Sequence, residues 1–143
     1  MNVARILKDK GRSVIALAPE TSVRTVVETL AKERIGALVI CDADRHVSGI
    51  ISERDIVRML ASGGAAVLDQ PVSSFMTRDV RTCTERDTVE WLMEEMTSHR
   101  FRHMPVVESG RLIGIVSIGD VVKQRIAVAE LEAASMREYI ATG

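Results

Sequence analysis

Aromatic side chains are scarce in this sequence, where one Trp, one Tyr and two Phe make up 3% of 143 residues. So few rings leave almost no platforms on which the bases of single-stranded nucleic acid could stack. The formal net charge of -1 also removes the positive field that draws proteins to nucleic acids and anionic membranes. We therefore expect neither nucleic acid nor a membrane among the partners of this protein.

Long apolar runs and paired cysteines are lacking as well. No stretch approaches the roughly 20 apolar residues that cross a bilayer, and the opening MNVARILKDKGR turns charged too early for a secretory signal. Cys41 and Cys83 have no second Cys or His at metal-ligand spacing. We expect two buried, reduced thiols in a cytoplasmic protein that requires no metal.

The two halves of the chain are copies of each other, displaced by roughly 65 residues. GIISERDIV (Gly49–Val57) matches GIVSIGDVV (Gly114–Val122), and hydrophobic pattern and turn positions agree on either side. Each half predicts the order β-α-β-β-α. The predicted boundaries are repeat 1 at 1–66 with a short N-terminal helix, a linker at 67–71, repeat 2 at 72–126 and a helical extension at 127–143.

One repeat of this length would leave the apolar face of its sheet uncovered. The sequence therefore predicts a mixed α/β (α+β) fold, in which two repeats pack by their sheets with pseudo-twofold symmetry and a C-terminal helix follows. Two interpretations of that helix remain open, since its apolar face is imperfect. It either packs back on its own chain or forms a dimer, and in either case the apolar face consists of Ala127, Leu131, Ala134, Met136 and Ile140.

The repeated motif has a structural and a functional interpretation. Ser52 and Ser117 are good N-caps, and Asp55 and Asp120 lie one turn into the helix, where carboxylates are favourable. The glycine that opens the motif would let the backbone turn. A hydroxyl and a carboxylate at a helix N-terminus also suit a ribose diol and a phosphate. The helix-breaking Gly119 before Asp120 argues against a purely structural motif.

In this order and spacing, the paired motifs resemble cystathionine β-synthase (CBS) domains joined in tandem as a Bateman module. RHMPVVESGRLIGIVSIGDVVK (Arg102–Lys123) is an especially close match, and the resemblance extends from about Val3 to Ile126. It implies two pseudo-symmetric clefts for AMP, ADP, ATP or NAD as a regulatory ligand, with S-adenosylmethionine a secondary candidate. Ser52, Arg54, Asp55, Ser117 and Asp120 would contact ribose or phosphate. The base pocket and the phosphate side would be formed by Ile15, Gly36, Ala37, Leu38, Arg81, Arg102, His103 and Met104.

The two copies differ where a ligand would discriminate between them. Arg102 and His103 replace Gly36 and Ala37, and Gly119 stands where the first copy has Arg54. We therefore expect two chemically distinct sites. The segment HRFRH (His99–His103) is a solvated helix end, a phosphate contact through Arg102 or His103, or a metal site, which lacks a third ligand.

The usual catalytic motifs are absent, and nothing orients a base against a nucleophile. We therefore predict a stand-alone, non-enzymatic sensor, of the energy-sensing type, that signals an adenosine nucleotide to an unknown regulated protein through a homodimer. A ligand-free dimerisation or interaction module is the main alternative. A small enzyme or a nucleic-acid binder is the third.

Overall fold

The computed structural model describes residues 1–142, which form two small sheets and five α-helices. Two short 3-10 turns, Gly64–Asp69 and Val72–Ser74, connect the repeats. The first repeat contains α1 (Val3–Lys10), β1 (Ala16–Leu17), α2 (Val23–Glu33), β2 (Ala37–Cys41), β3 (Val47–Ser52) and α3 (Glu53–Gly63). The second repeat contains α4 (Val89–His99), β4 (His103–Glu108), β5 (Arg111–Ser117) and α5 (Ile118–Thr142).

The two sheets follow one plan. β1 lies parallel to β2 and β2 antiparallel to β3, while β4 and β5 form an antiparallel hairpin. The counterpart of β1 in the second repeat is reduced to Cys83, whose N–H donates to the Pro105 carbonyl at 3.0 Å. The sheets meet through the buried Val39, Cys41 and Leu112. The predicted mixed fold, with a C-terminal helix, is confirmed.

The segments that lead into the two repeats, here called the entering segments, are exchanged: each packs in the core of the other repeat. Helix α1 precedes the first repeat in the sequence, but its residues Val3, Ile6 and Leu7 are buried in the core of the second repeat. Val72 and Met76, which enter the second repeat, are buried in the core of the first. Burying apolar side chains in the opposite repeat ties the halves together, since each would lose part of its core alone.

This exchange accounts for the glycine of the repeated motif. A Cβ on Gly49 would stand 2.5 Å from the Met76 sulfur and 2.9 Å from the Thr77 carbonyl oxygen. A Cβ on Gly114 would stand 2.8 Å from Leu7. Neither glycine has a positive φ. The expectation that they let the backbone turn is therefore wrong, and they admit the crossing segment instead.

The long helix α5 leaves the body of the protein. Val121 and Gln124 near its start are buried, whereas Leu131 is 72% and Ile140 73% exposed. The interpretation in which the tail packs back on its own chain is therefore wrong. Within residues 1–142, no helix combines the length and apolar character that crossing a membrane requires.

Candidate functional site

Both motif helices start with the same reciprocal hydrogen bonds. The Ser52 N–H donates to Asp55 Oδ2 at 2.9 Å, and the Asp55 N–H donates to Ser52 Oγ at 3.3 Å. Ser117 and Asp120 repeat the pair at 2.9 and 3.2 Å. This capping box leaves further N–H groups and the positive end of the helix dipole facing outward. The motif therefore caps the helix and still presents a carboxylate and an anion-binding end.

A cleft of about 440 Å³ lies between the repeats at the start of α3. Gly36 and Ala37 form one wall with Ser52 and Asp55, and the second repeat supplies the opposite wall. Only Oδ2 of Asp55 is engaged within the residues that the structure covers, in bonds from the N–H and the hydroxyl of Ser52. Oδ1 is therefore available to accept hydrogen bonds from a ligand.

Cations dominate the rim of this cleft. Five arginines line it against three carboxylates, Glu53, Asp55 and Asp79. Arg81 is held by Glu95, with Nη1 2.8 Å from Oε2. The other four form no ion pair anywhere in residues 1–142, so their guanidinium groups can bind an anion. These are Arg54, Arg58, Arg100 and Arg102.

His103 lies where the cleft borders the second motif. Its Cε1 and Nε2 atoms would stand 3.5 and 3.7 Å from a Cβ at Gly36, and Lys10 and Asp120 lie close enough to influence its charge. Burial, reinforced by Lys10 and Arg102, lowers the pKa of His103 below its usual 6.5, although Asp120 and Glu53 oppose that shift. The imidazole is therefore neutral at pH 7 and can donate or accept one hydrogen bond toward the cleft.

The aspartate of the second motif forms an ion pair within the chain. Lys10, at the end of α1, places Nζ 2.8 Å from Asp120 Oδ2 and 2.9 Å from the Ile115 carbonyl oxygen. Burial raises the pKa of Asp120, but the Lys10 ammonium and the Ser117 N–H outweigh it and leave the pKa below its ordinary value. The carboxylate is therefore ionised and already paired.

The first cleft cannot form the equivalent pair. When Val3 is aligned with Val72, the residue that takes the place of Lys10 is Asp79. Asp79 lines the same cleft as Asp55, and two carboxylates cannot form an ion pair. The swapped entering segments therefore make the two motifs chemically unequal, as the sequence comparison anticipated from other residues.

The structure brings together most of the residues predicted for the site. Leu38 and Met104 do not contribute side chains, because strand alternation turns both into the cores, where they are 0% exposed. Ile15 packs against the first core, outside the cleft lining. Ser117 and Asp120 lie at the Lys10 pair. The predicted residues that line the cleft are Gly36, Ala37, Ser52, Arg54, Asp55, Arg81, Arg102 and His103.

Other lining residues are absent from the sequence-based prediction. Arg58 follows Arg54 by one helical turn, a spacing that could have revealed it. Thr77 and Asp79 belong to the crossing segment, which sequence alone gives no reason to place beside the first motif. Arg100 ends α4 in a left-handed conformation with φ 56°, and Arg34 ends α2 in the same way.

These features define a class of protein: a tandem-repeat module with a cationic cleft between its two halves. The chain belongs to the CBS domain family, whose model matches residues 5–62 and 72–126. The resemblance to CBS domains is thereby confirmed. Proteins built from CBS domains are typically regulatory rather than catalytic.

Solved CBS-domain structures superpose closely on the fold. A CBS-domain-containing protein from Agrobacterium tumefaciens is 50% identical, with TM-score 0.84 over 87% of this chain and 99% of that one. The protein PAE2072 of Pyrobaculum aerophilum, complexed with AMP, is 30% identical, with TM-score 0.80 over 93% and 99%. The CBS domain pair of MJ0100, in complex with 5'-methylthioadenosine and S-adenosyl-L-methionine, is 26% identical, with TM-score 0.79 over 89% and 97%.

Proposed function

We propose that this protein is a regulatory module that binds an adenosine nucleotide in the cleft at the start of α3. The observation that carries the proposal is the combination of an available Asp55 oxygen with a rim of unpaired arginines. A ribose diol donates two hydrogen bonds, which a carboxylate is suited to accept. The AMP and S-adenosylmethionine complexes of similar CBS pairs support the same class of ligand.

The charge of the cleft supports AMP, ADP, ATP or NAD over S-adenosylmethionine. Phosphates can reach the N-terminus of α3 and the guanidinium groups of Arg54 and Arg58, which share one face of that helix. A sulfonium ligand would bring a positive charge to the same groups. We expect the neutral His103 to hydrogen-bond the base or ribose, and no metal to be required.

Signalling in this proposal proceeds through conformation rather than chemistry. Burial, with a contribution from Asp87, raises the pKa of Cys83 to about 12, so that its thiol cannot act as a nucleophile beside the histidines. A nucleotide that bridges both walls of the cleft would favour one arrangement of the repeats. We expect a cytoplasmic homodimer to transmit that change to a regulated protein.

The proposal is tested by native mass spectrometry of protein purified without added nucleotide, followed by thermal unfolding with each candidate. At a concentration near 100 Kd, a ligand should raise the Tm by about 5–10 °C. Inorganic triphosphate is the control for simple anion binding. No shift with any adenosine ligand at millimolar concentration would contradict the proposal and favour a ligand-free interaction module. An equal shift with triphosphate would show an anion site without nucleoside recognition.

Removing Lys10 should expose the second motif. In the native chain Lys10 competes with any ligand for Asp120, so we expect one nucleotide per chain in isothermal titration calorimetry. Lys10→Ala should raise this number to two. Lys8→Ala, on the same helix, is the matched control and should leave it at one. A value of one for Lys10→Ala would mean that the ion pair does not limit binding at Asp120.

A further inference from the structure

The outer part of α5 carries an exposed apolar stripe with the spacing of a coiled coil. Along this stripe, intervals of four and three residues alternate over the whole length. Its large members are well exposed, Ile126 at 54% and Met136 at 62%. A strict four-three repeat marks a helix that pairs with another helix, since it keeps one seam facing the partner. The stripe consists of Val122, Ile126, Ala129, Ala133, Met136 and Ile140.

We infer that this stripe is the seam of a parallel, in-register coiled coil formed with α5 of a second copy of the chain. The inference rests on the homodimer of the proposed function and adds its geometry. The β-branched Ile126 and Ile140 occupy two of the three a positions, with Ala133 at the third, and β-branched residues at a favour two strands. Ala129 and Ala133 between them let the helices approach closely. Such a contact is isologous and closes the assembly at two copies.

The charges beside the stripe select the parallel orientation. In a parallel pair, a g residue faces the e residue five positions later on the partner helix. Arg125 then faces Glu130 of the second copy, and Glu132 faces Arg137 of the second copy, so that all four contacts of the symmetric dimer are attractive. Arg125 lies 3.3 Å from Glu90 in its own chain, in an exposed pair that is weak enough to exchange.

An antiparallel pair would place like charges together. Full overlap of the stripe in that orientation brings Lys123 against Arg137 of the second copy. It also brings each of Glu130 and Glu132 against its own counterpart. The seam is only about two and a half heptads long, too short to hold a dimer without help. The exposed Val57 and Leu60 on α3 offer apolar surface on the body that could add to it.

Cysteine cross-linking tests the orientation directly. Ala129→Cys at a d position should form a disulfide with its own counterpart on mild oxidation, while Ala134→Cys on the outer face should not. The native Cys41 and Cys83 are buried and should not interfere. An antiparallel seam would leave Ala129→Cys unlinked and link only the double variant with Ala133→Cys, which would overturn the inference. No link in any variant would also overturn it.

Charge reversal tests the seam independently. Neither Glu132 nor Arg137 has a charged residue three or four positions away, so their reversal alters no contact within the helix. Glu132→Arg alone should weaken dimerisation about 5- to 10-fold at low salt in sedimentation equilibrium. Glu132→Arg combined with Arg137→Glu should restore it. No loss, or no rescue, would contradict the pairing.

Neither measurement involves a nucleotide, so the failure of this inference is distinguishable from failure of the proposed function. A chain that sediments as a monomer would overturn both the homodimer and the seam, while leaving nucleotide binding in the cleft intact. A dimer without the cross-link would overturn the seam alone.

Discussion

Asp55→Ala should weaken nucleotide binding about 100-fold, equivalent to about 2.7 kcal/mol at 25 °C. The loss is this large because the hydrogen bonds from the ribose diol to the carboxylate disappear, and even one hydrogen bond to a charged group is worth about 1.5–3 kcal/mol. The cleft also loses the motif aspartate that, unlike Asp120, is not held by an ion pair. Isothermal titration calorimetry with the ligand identified by native mass spectrometry measures the change.

Asp120→Ala is the matched control for this experiment. It removes the same residue from the same capping box in the other repeat, where the aspartate likewise accepts from the serine N–H at 2.9 Å, so both variants should lose a similar helix-capping contribution of about 0.5–2 kcal/mol. Asp120→Ala loses the ion pair to Lys10 in addition, so it is the more demanding control for stability. Only Asp55→Ala should lose affinity. If both variants bind as tightly as the native chain, the carboxylates do not hold ribose. If Asp120→Ala alone loses affinity, the ligand occupies the second motif, and Lys10 does not block it.

Gly49→Ala should lower the free energy of unfolding by about 2–3 kcal/mol, the upper part of the range for overpacking. The new methyl group would overlap the Met76 side chain and the Thr77 carbonyl oxygen. The carbonyl cannot move without breaking the backbone hydrogen bonds that join Ile50 and Thr77 at 2.9 and 3.0 Å. Urea unfolding followed by circular dichroism measures the difference.

Alanine substitutions at two further glycines are controls for this prediction. Gly114→Ala should lower the free energy of unfolding by less than Gly49→Ala does, because the new methyl group would contact the flexible end of the Leu7 side chain. Gly119→Ala should cause no clash, since its Cβ would meet only Ser117 Oγ at 3.6 Å. It should raise the free energy of unfolding by about 0.5–1 kcal/mol, because Ala favours the helical conformation of α5 more than Gly does. Equal stability of Gly49→Ala and the native chain would show that the crossing segment is not tightly packed there.

The sequence predicted the repeated elements and the motif helices because their signals are local. Capping residues, helical periodicity and hairpin turns all act over a few residues, so Ser52 and Asp55 could be placed at a helix start. The cleft itself was implied only by the resemblance to CBS domains. The exchange of α1 and the 72–76 segment could not be predicted. It depends on contacts between residues far apart in the chain, which no local pattern encodes.

The same limit explains which features of the site the sequence did not show. Alternation sends the side chains of Leu38 and Met104 into the cores, so only their backbone groups could serve a ligand, and that role stays a prediction. The Lys10–Asp120 pair joins residues that only the exchange brings together. Arg58 was within reach, since it repeats Arg54 one turn later.

The exchanged segments also govern the order in which the chain can fold during synthesis. Helix α1 leaves the ribosome before the rest of the body, yet its partners Leu92, Met104 and Val116 are among the last residues of the body to be made. The apolar face of α1 must therefore remain unburied until nearly all of the chain has emerged. Contacts between such distant residues raise the contact order and slow folding relative to two independent repeats. The native cleft is therefore completed only late in folding, when both halves are present.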